Sequence, residues 1–190
     1  MSPPQGPLAG LRVVESSLLG PGALTTHLAD LGAEVIKVES PSGDYIRQMT
    51  WPIVEGVSLL HLHVHRGKRS IVLDLRKPEA VETYLDLVRC SEVVVEAMRP
   101  GSLERRGLGY ERLREANPRI VFCNISGYGM TGPYKDLPSH GIAFDTWAGL
   151  VNPARDEEGF TYISEHASMG MHAGPLFGAF GVLAAVLRAR

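Results

Sequence analysis

Three cations and a glycine, Arg66-Gly67-Lys68-Arg69, stand just ahead of an apolar run, Ile71 to Leu73, that meets the acid Asp74. Guanidinium and ammonium groups bind phosphate oxygens through charge-assisted hydrogen bonds, so fixed cations at a strand end suit a phosphorylated ligand. A solvated charged loop is the plainer reading of the same residues. Gly20-Pro21-Gly22 opens a helical pattern after a strand, and Glu39 ends the next strand, where an acid could hold the ribose of a nicotinamide dinucleotide. Against that NAD-binding reading, Thr25 occupies the third glycine position and Pro21 separates the first two glycines. His61, His63 and His65 alternate; on a strand they would share a face and could hold zinc, although no nearby Cys or acid offers a clear fourth ligand. No metal site is therefore expected. His140 follows Pro138-Ser139 at the start of a new segment and could act as a general base from a loop.

The elements that must position these residues can be read from apolar patterning. Strands are expected at Leu11–Val14, Ala33–Val38, Ile71–Leu75, Glu92–Glu96 and Arg119–Ile125. Helices are expected from Gly22 to Leu31, from Pro78 to about Cys90 and from Tyr110 to Ala116, with Gly32 and Asn117-Pro118 as stops. Residues 45–65 read as irregular, residues 126–133 as a glycine-rich loop and residues 150–160 as a polar loop. Continuously apolar strands separated by helices imply a parallel sheet covered on both faces, hence a doubly wound, Rossmann-like α/β domain over residues 1–150. Residues 151–190 would be a loop and an apolar helix, from His172 to Arg190, that needs packing partners on most sides. Ligands of such sheets bind at the carboxyl ends of strands. The Arg66 cluster precedes its strand, so strict parallel order would put it at the opposite edge.

Composition sets bounds. The 190 residues carry a formal net charge of -2, with 44% apolar and 21% charged residues, as in a globular protein without global attraction to nucleic acid or anionic membrane. Cys90 and Cys123 have no metal or redox spacing and suit a reducing, cytoplasmic compartment. The N-terminus lacks a signal-peptide pattern. No apolar run reaches the ~18 residues of a membrane span.

Four islands in order resemble the family III CoA-transferases, which include formyl-CoA transferase, carnitine CoA-transferase and alpha-methylacyl-CoA racemase. The islands are Leu28 to Glu39 with Pro41, Gly43-Asp44 and Arg47; Arg66 to Leu75; Glu96 with Arg99-Pro100-Gly101, Leu103 and Arg105 to Tyr110; and Asn117 to Val121 running through Ser126-Gly127-Tyr128-Gly129 to Gly132-Pro133. The resemblance covers nearly the whole chain. It implies the N-terminal, CoA-binding half of a larger two-domain fold, coenzyme A esters and a carboxylic acid as substrates, and a homo- or hetero-dimer with a homologous subunit. It also implies site residues: the backbone of Leu18 and Gly20 against CoA, Lys68 and Arg105 near its phosphates or adenine with Arg69 and Arg99 assisting, and Tyr128 beside the reacting acyl group.

The same resemblance exposes departures. Family transferases form a mixed anhydride on an aspartate, whose matching place here is near Gly170; no aspartate follows Asp156, and the only acid beyond Glu158 is Glu165. Leu19 replaces a glutamine, and Gly141 replaces the acid that usually follows the racemase histidine, here His140. The expected function is thus acyl-CoA binding and CoA transfer between carboxylic acids, as a subunit lacking the catalytic aspartate or with Glu165 or Asp156 as the acid. Alternatives are an acyl-CoA racemase or epimerase using His140, and an NAD-binding domain or non-catalytic scaffold.

Overall fold

Five parallel strands build the main sheet in a computed structural model that describes residues 6–138, 140–163 and 169–190. The strands are β1 (Arg12–Ser16), β2 (Glu34–Glu39), β5 (Arg69–Val72), β6 (Val93–Glu96) and β7 (Val121–Asn124), in the spatial order β5-β2-β1-β6-β7. Two short hairpins, β3–β4 (Pro52–Val54, Val57–Ser58) and β8–β9 (Ala154–Arg155, Thr161–Tyr162), lie apart from it. The helices are α1 (Gly22–Asp30), α2 (Leu59–His65), α3 (Pro78–Arg89), α4 (Tyr110–Ala116), α5 (Gly141–Trp147) and α6 (Gly170–Ala189). The strand order reverses between β1 and β6, so the loops after these two strands flank the crevice where open α/β sheets take ligands.

Alternation along the strands sorts the core into two layers. Val13, Val35, Val93 and Val95 face α1 and α6, where they meet Leu24, Leu28, Ala179, Val182 and Val186. Val14, Val38 and Val94 face the other way, onto Tyr84, Leu85, Val88 and Leu113 of α3 and α4. Pro78 at the first helical position starts α3, since its missing N–H is an orphan there in any case. Glycine lets α6 approach α1: a Cβ on Gly178 would stand 2.5 Å from Leu24 Cδ1.

The sheet and the three long helices fall close to their sequence expectations. Residues 45–65 do not, because they contain a 3-10 turn (Tyr45–Gln48), the β3–β4 hairpin and α2. On α2, His61 and His65 come together with ring centroids 5.0 Å apart, and the strand-face triad with His63 is not formed. α6 is long and apolar enough to cross a membrane by length and composition, yet it lays Ala179, Val182 and Val186 against the sheet and α1. Its outer face exposes Phe177 (74%), Phe180 (59%) and Leu187 (76%).

Candidate functional site

The cations of the Arg66–Arg69 cluster go to separate places. Arg66 pairs with Asp30 at the end of α1, and Arg69 pairs with Glu34 at 2.6 Å at the amino edge of the sheet. Lys68 alone turns inward. Its ammonium donates to Glu15 Oε2 at 2.7 Å, to the Gly22 carbonyl at 2.7 Å and to His65 Nδ1 at 3.1 Å, with only 2% of its side chain exposed. The expected phosphate cradle is therefore absent from this geometry: one cation is buried with all three N–H groups engaged, and the others lie where strand direction puts them, away from the ligand edge.

Lys68 belongs to a closed ring of ionisable groups. Glu15 Oε1 accepts from Lys37 at 3.1 Å, Lys37 reaches Asp44 Oδ2 at 3.1 Å, and Asp44 Oδ2 meets His65 Nε2 at 3.2 Å. An ammonium can only donate, so His65 Nδ1 accepts from Lys68 and Nε2 carries the proton toward Asp44. Two carboxylates and two ammoniums balance around a neutral imidazole, which is how buried charges are tolerated. Burial pushes the Lys68 ammonium down to about 8 despite Glu15. Burial would raise the Glu15 carboxyl, but Lys68 and Lys37 outweigh it and hold it at about 2.

Gly22 and Glu39, the two marks of a dinucleotide site, are both committed to this interior. A Cβ on Gly22 would sit 2.7 Å from His65 Cε1, so this glycine makes room for a ring. The Glu39 carboxylate accepts from Arg47 Nη2 at 2.6 Å and Ser70 Oγ at 2.7 Å, and burial leaves it no face for a ribose.

Arginines do gather at the carboxyl edge. A cleft of about 730 Å³ after β5 is lined by Leu75, Arg76, Pro78, Glu79, Arg105 and Arg106, among others. Arg76 is held by Asp74 at 2.7 Å, and Arg106 by the Ser102 carbonyl at 2.7 Å. Arg99 and Arg105 are exposed and form no ion pair among the described residues. Gly101, at φ 74, lets the Arg105 guanidinium cross its turn, since a Cβ there would meet Nη1 at 2.9 Å. Arg76 was not among the sequence candidates, though it stands one residue past the apolar run, on the edge that ligands use.

The loop after β1 completes this edge. Leu18 is 44% exposed, and Leu19 adopts φ 56, the left-handed region that costs a side-chain-bearing residue energy. Gly20 lies against Met171 in the first turn of α6, whose Cγ would be 3.3 Å from a Cβ there. After β7, Tyr128 stacks edge-on with Phe144 (5.4 Å) and Trp147 (6.0 Å). His140 caps the backbone of α5 from an exposed position, with no side-chain capping bond. Glu165 lies outside the described residues.

Beneath β6, the buried Glu96 carboxyl accepts from Met98 N–H at 3.1 Å and touches Asn124 Nδ2. Burial raises it to about 7, with Glu104 adding to the effect.

The family model for CoA-transferase family III matches residues 8–190. The chain is 35% identical over 182 residues to the beta subunit of succinyl-CoA--L-malate CoA-transferase from Chloroflexus aurantiacus, covering 95% of this chain and 45% of that protein. It is 41% identical over 162 residues to succinate--glutarate CoA-transferase from Agrobacterium fabrum, covering 80% and 40%. A hypothetical protein of Mycobacterium tuberculosis has a solved structure that superposes with a TM-score of 0.86 at 35% identity, over 97% of this chain and 51% of that one. The chain thus spans about half the length of the curated relatives it matches.

Proposed function

We propose, since this chain belongs to CoA-transferase family III, that it binds an acyl-CoA at the carboxyl edge of its sheet and takes part in passing CoA from one carboxylic acid to another. The observation that carries the binding site is the group of arginines lining the cleft after β5, Arg76, Arg105 and Arg106, with Arg105 forming no ion pair among the described residues; Arg99, in the turn after β6, is exposed and likewise forms none among them. Coenzyme A presents a pyrophosphate and a ribose phosphate, and guanidinium groups match such oxygens bidentately. Arg76 and Arg106, already oriented by Asp74 and Ser102, extend the cationic wall. Lys68 acts from beneath: by holding the Gly22 carbonyl it fixes the start of α1 and so the Leu18–Gly20 loop. The acyl end would lie toward that loop and Tyr128. A homologous partner subunit belongs to this reading, because the relatives include the alpha and beta subunits of succinyl-CoA--L-malate CoA-transferase.

Calorimetric titration of the complete protein with CoA tests the site. Arg99→Ala and Arg105→Ala should each weaken CoA by roughly tenfold, the scale of one charge-assisted contact. Arg69→Ala, at the opposite edge, should leave affinity unchanged. No binding of CoA by the unmodified protein, or loss of affinity from Arg69→Ala alone, would overturn the assignment.

A further inference from the structure

Three neighbouring strands end together, and their last residues form one row. Ser16 of β1 pairs in register with Glu96 of β6, and Glu96 with Asn124 of β7. Glu96 and Asn124 lie two residues past Val94 and Phe122, so they share the face that packs on α3 and α4. Strand alternation thus drives an acid into an apolar layer, 2% exposed, beside the crevice where the strand order reverses.

Nothing in that layer balances the acid by charge. The titratable groups around it are Tyr84 of α3, whose hydroxyl accepts from Ser16 Oγ at 3.0 Å, and Glu104 of a 3-10 turn (Glu104–Arg106), a second carboxyl. Helix α4 adds Leu113 and the Tyr110 ring, which lies against Phe122. No cation pairs with Glu96 among the described residues. A buried carboxyl with no cation and an acid for a neighbour holds its proton. Asn124 matches such an acid. Its Nδ2 touches Glu96, while its buried Oδ1 finds no donor among the described residues. A half-turn of the amide exchanges the two ends, and the acid's O–H then donates to Oδ1.

The pair reaches the ligand edge through the segment that follows it. Glu96 Oε1 accepts the Met98 N–H at 3.1 Å and so fixes the entry to the Arg99-Pro100-Gly101 turn. Ser102 N–H donates to the Arg99 carbonyl, and Arg105 N–H to the Gly101 carbonyl, each at 3.0 Å. Arg105 Nη1 and Glu104 Oε2 lie 2.9 and 3.8 Å from where a Cβ on Gly101 would be. The two exposed arginines, Glu104 and the buried acid therefore belong to one continuous segment.

We propose that Glu96 is a positioning residue of the phosphate-binding edge: as a neutral acid bonded to Asn124 it holds segment 97–105 and leaves the field of Arg99 and Arg105 unopposed, so that an anionic CoA ester and a proton on Glu96 bind together, an inference that rests on the function proposed above. Ionised Glu96 places a second negative charge beside Glu104 and works against the phosphates. Linkage is reciprocal, so bound phosphate favours the proton on Glu96. Affinity is then fully present while Glu96 is protonated, falls as pH rises past about 7, where burial has pushed the acid, and levels once the liganded protein has also lost the proton.

Calorimetric titration of the complete protein with CoA, at about pH 6 and about pH 8 and in two buffers of different ionisation heat, reads affinity and proton uptake together. Glu96→Gln keeps a neutral donor for Asn124 and cannot ionise. Between the two pH values the parent should lose roughly fivefold in affinity relative to Glu96→Gln, the low end of coupling between sites. The parent should also take up a fraction of a proton at the higher pH that the variant does not; ionisation of the ligand's own phosphate is common to both and cancels. Equal pH dependence and equal proton uptake in the two proteins would overturn the role of Glu96 and leave the CoA site standing. No CoA binding by the parent at either pH would sink the function proposed above, and this coupling with it. If Glu96→Gln does not fold, the parent carrying isotope-labelled glutamate decides by NMR. One carboxyl should titrate near neutral pH with a midpoint that CoA moves upward, and a midpoint that CoA leaves in place would refute the coupling.

Discussion

Glu96 is a carboxyl group whose state should change near neutral pH. Burial raises it to about 7 from an ordinary value of 4.5. A raised acid destabilises the fold only when it must ionise, so the penalty is absent below the unfolded value, grows as pH rises from about 4.5 to 7 and is constant above. Glu96→Gln should therefore be more stable than the parent by about 1–3 kcal/mol at pH 8, with the difference shrinking toward zero near pH 5. Urea unfolding at the two pH values checks this; an equal gain at both would show that ionisation is not the cause. Residue roles were the least legible part of the sequence. Lys68 looked like a surface phosphate ligand because its neighbours are charged, yet its partners Glu15 and His65 come from other elements, and only folding brings them together. Arg76 could have been found, since it follows β5 on the edge that strand direction assigns to ligands.

At the scale of elements, one type of residue carries opposite meanings. Gly22 opens α1 with the His65 ring 2.7 Å from where its Cβ would be, whereas Gly181, inside α6, has nothing within 4 Å of that point. Gly22→Ala should cost about 1–3 kcal/mol by overpacking a ring fixed by Asp44 and Lys68. Gly181→Ala should instead gain about 0.5–1 kcal/mol through helix propensity. Thermal unfolding of the two variants reads the sign directly, and a gain at Gly22 would mean the ring network yields freely. The sheet and its long helices were legible because Val-rich runs and helix stops are local signals. The 45–65 segment was not, because α2 is short and its histidines alternate like a strand; what makes it a helix is the Ser58 hydroxyl accepting from His61 N–H and the docking of its last turn on α1.

In the whole molecule, β1 occupies the centre of the sheet and its two partnerships differ in cost. Arg12 pairs with Glu34 on β2 across 22 residues, and with Glu92 beside β6 across 80. Closing the longer loop costs about 1 kcal/mol more in chain entropy. The order of strands across the sheet thus becomes an order of events in time, with the β1–α1–β2 unit and its ion ring forming first and β6 docking on it afterwards. Val35→Ala should then slow refolding of this chain, with roughly half or more of its destabilisation appearing in the folding rate, while Val93→Ala should act mainly by hastening unfolding. Stopped-flow refolding would refute this order if the two variants behaved the other way round. On a ribosome, the half of the sheet that carries Lys68 would leave the tunnel before Arg105 and Arg106 of the ligand edge do.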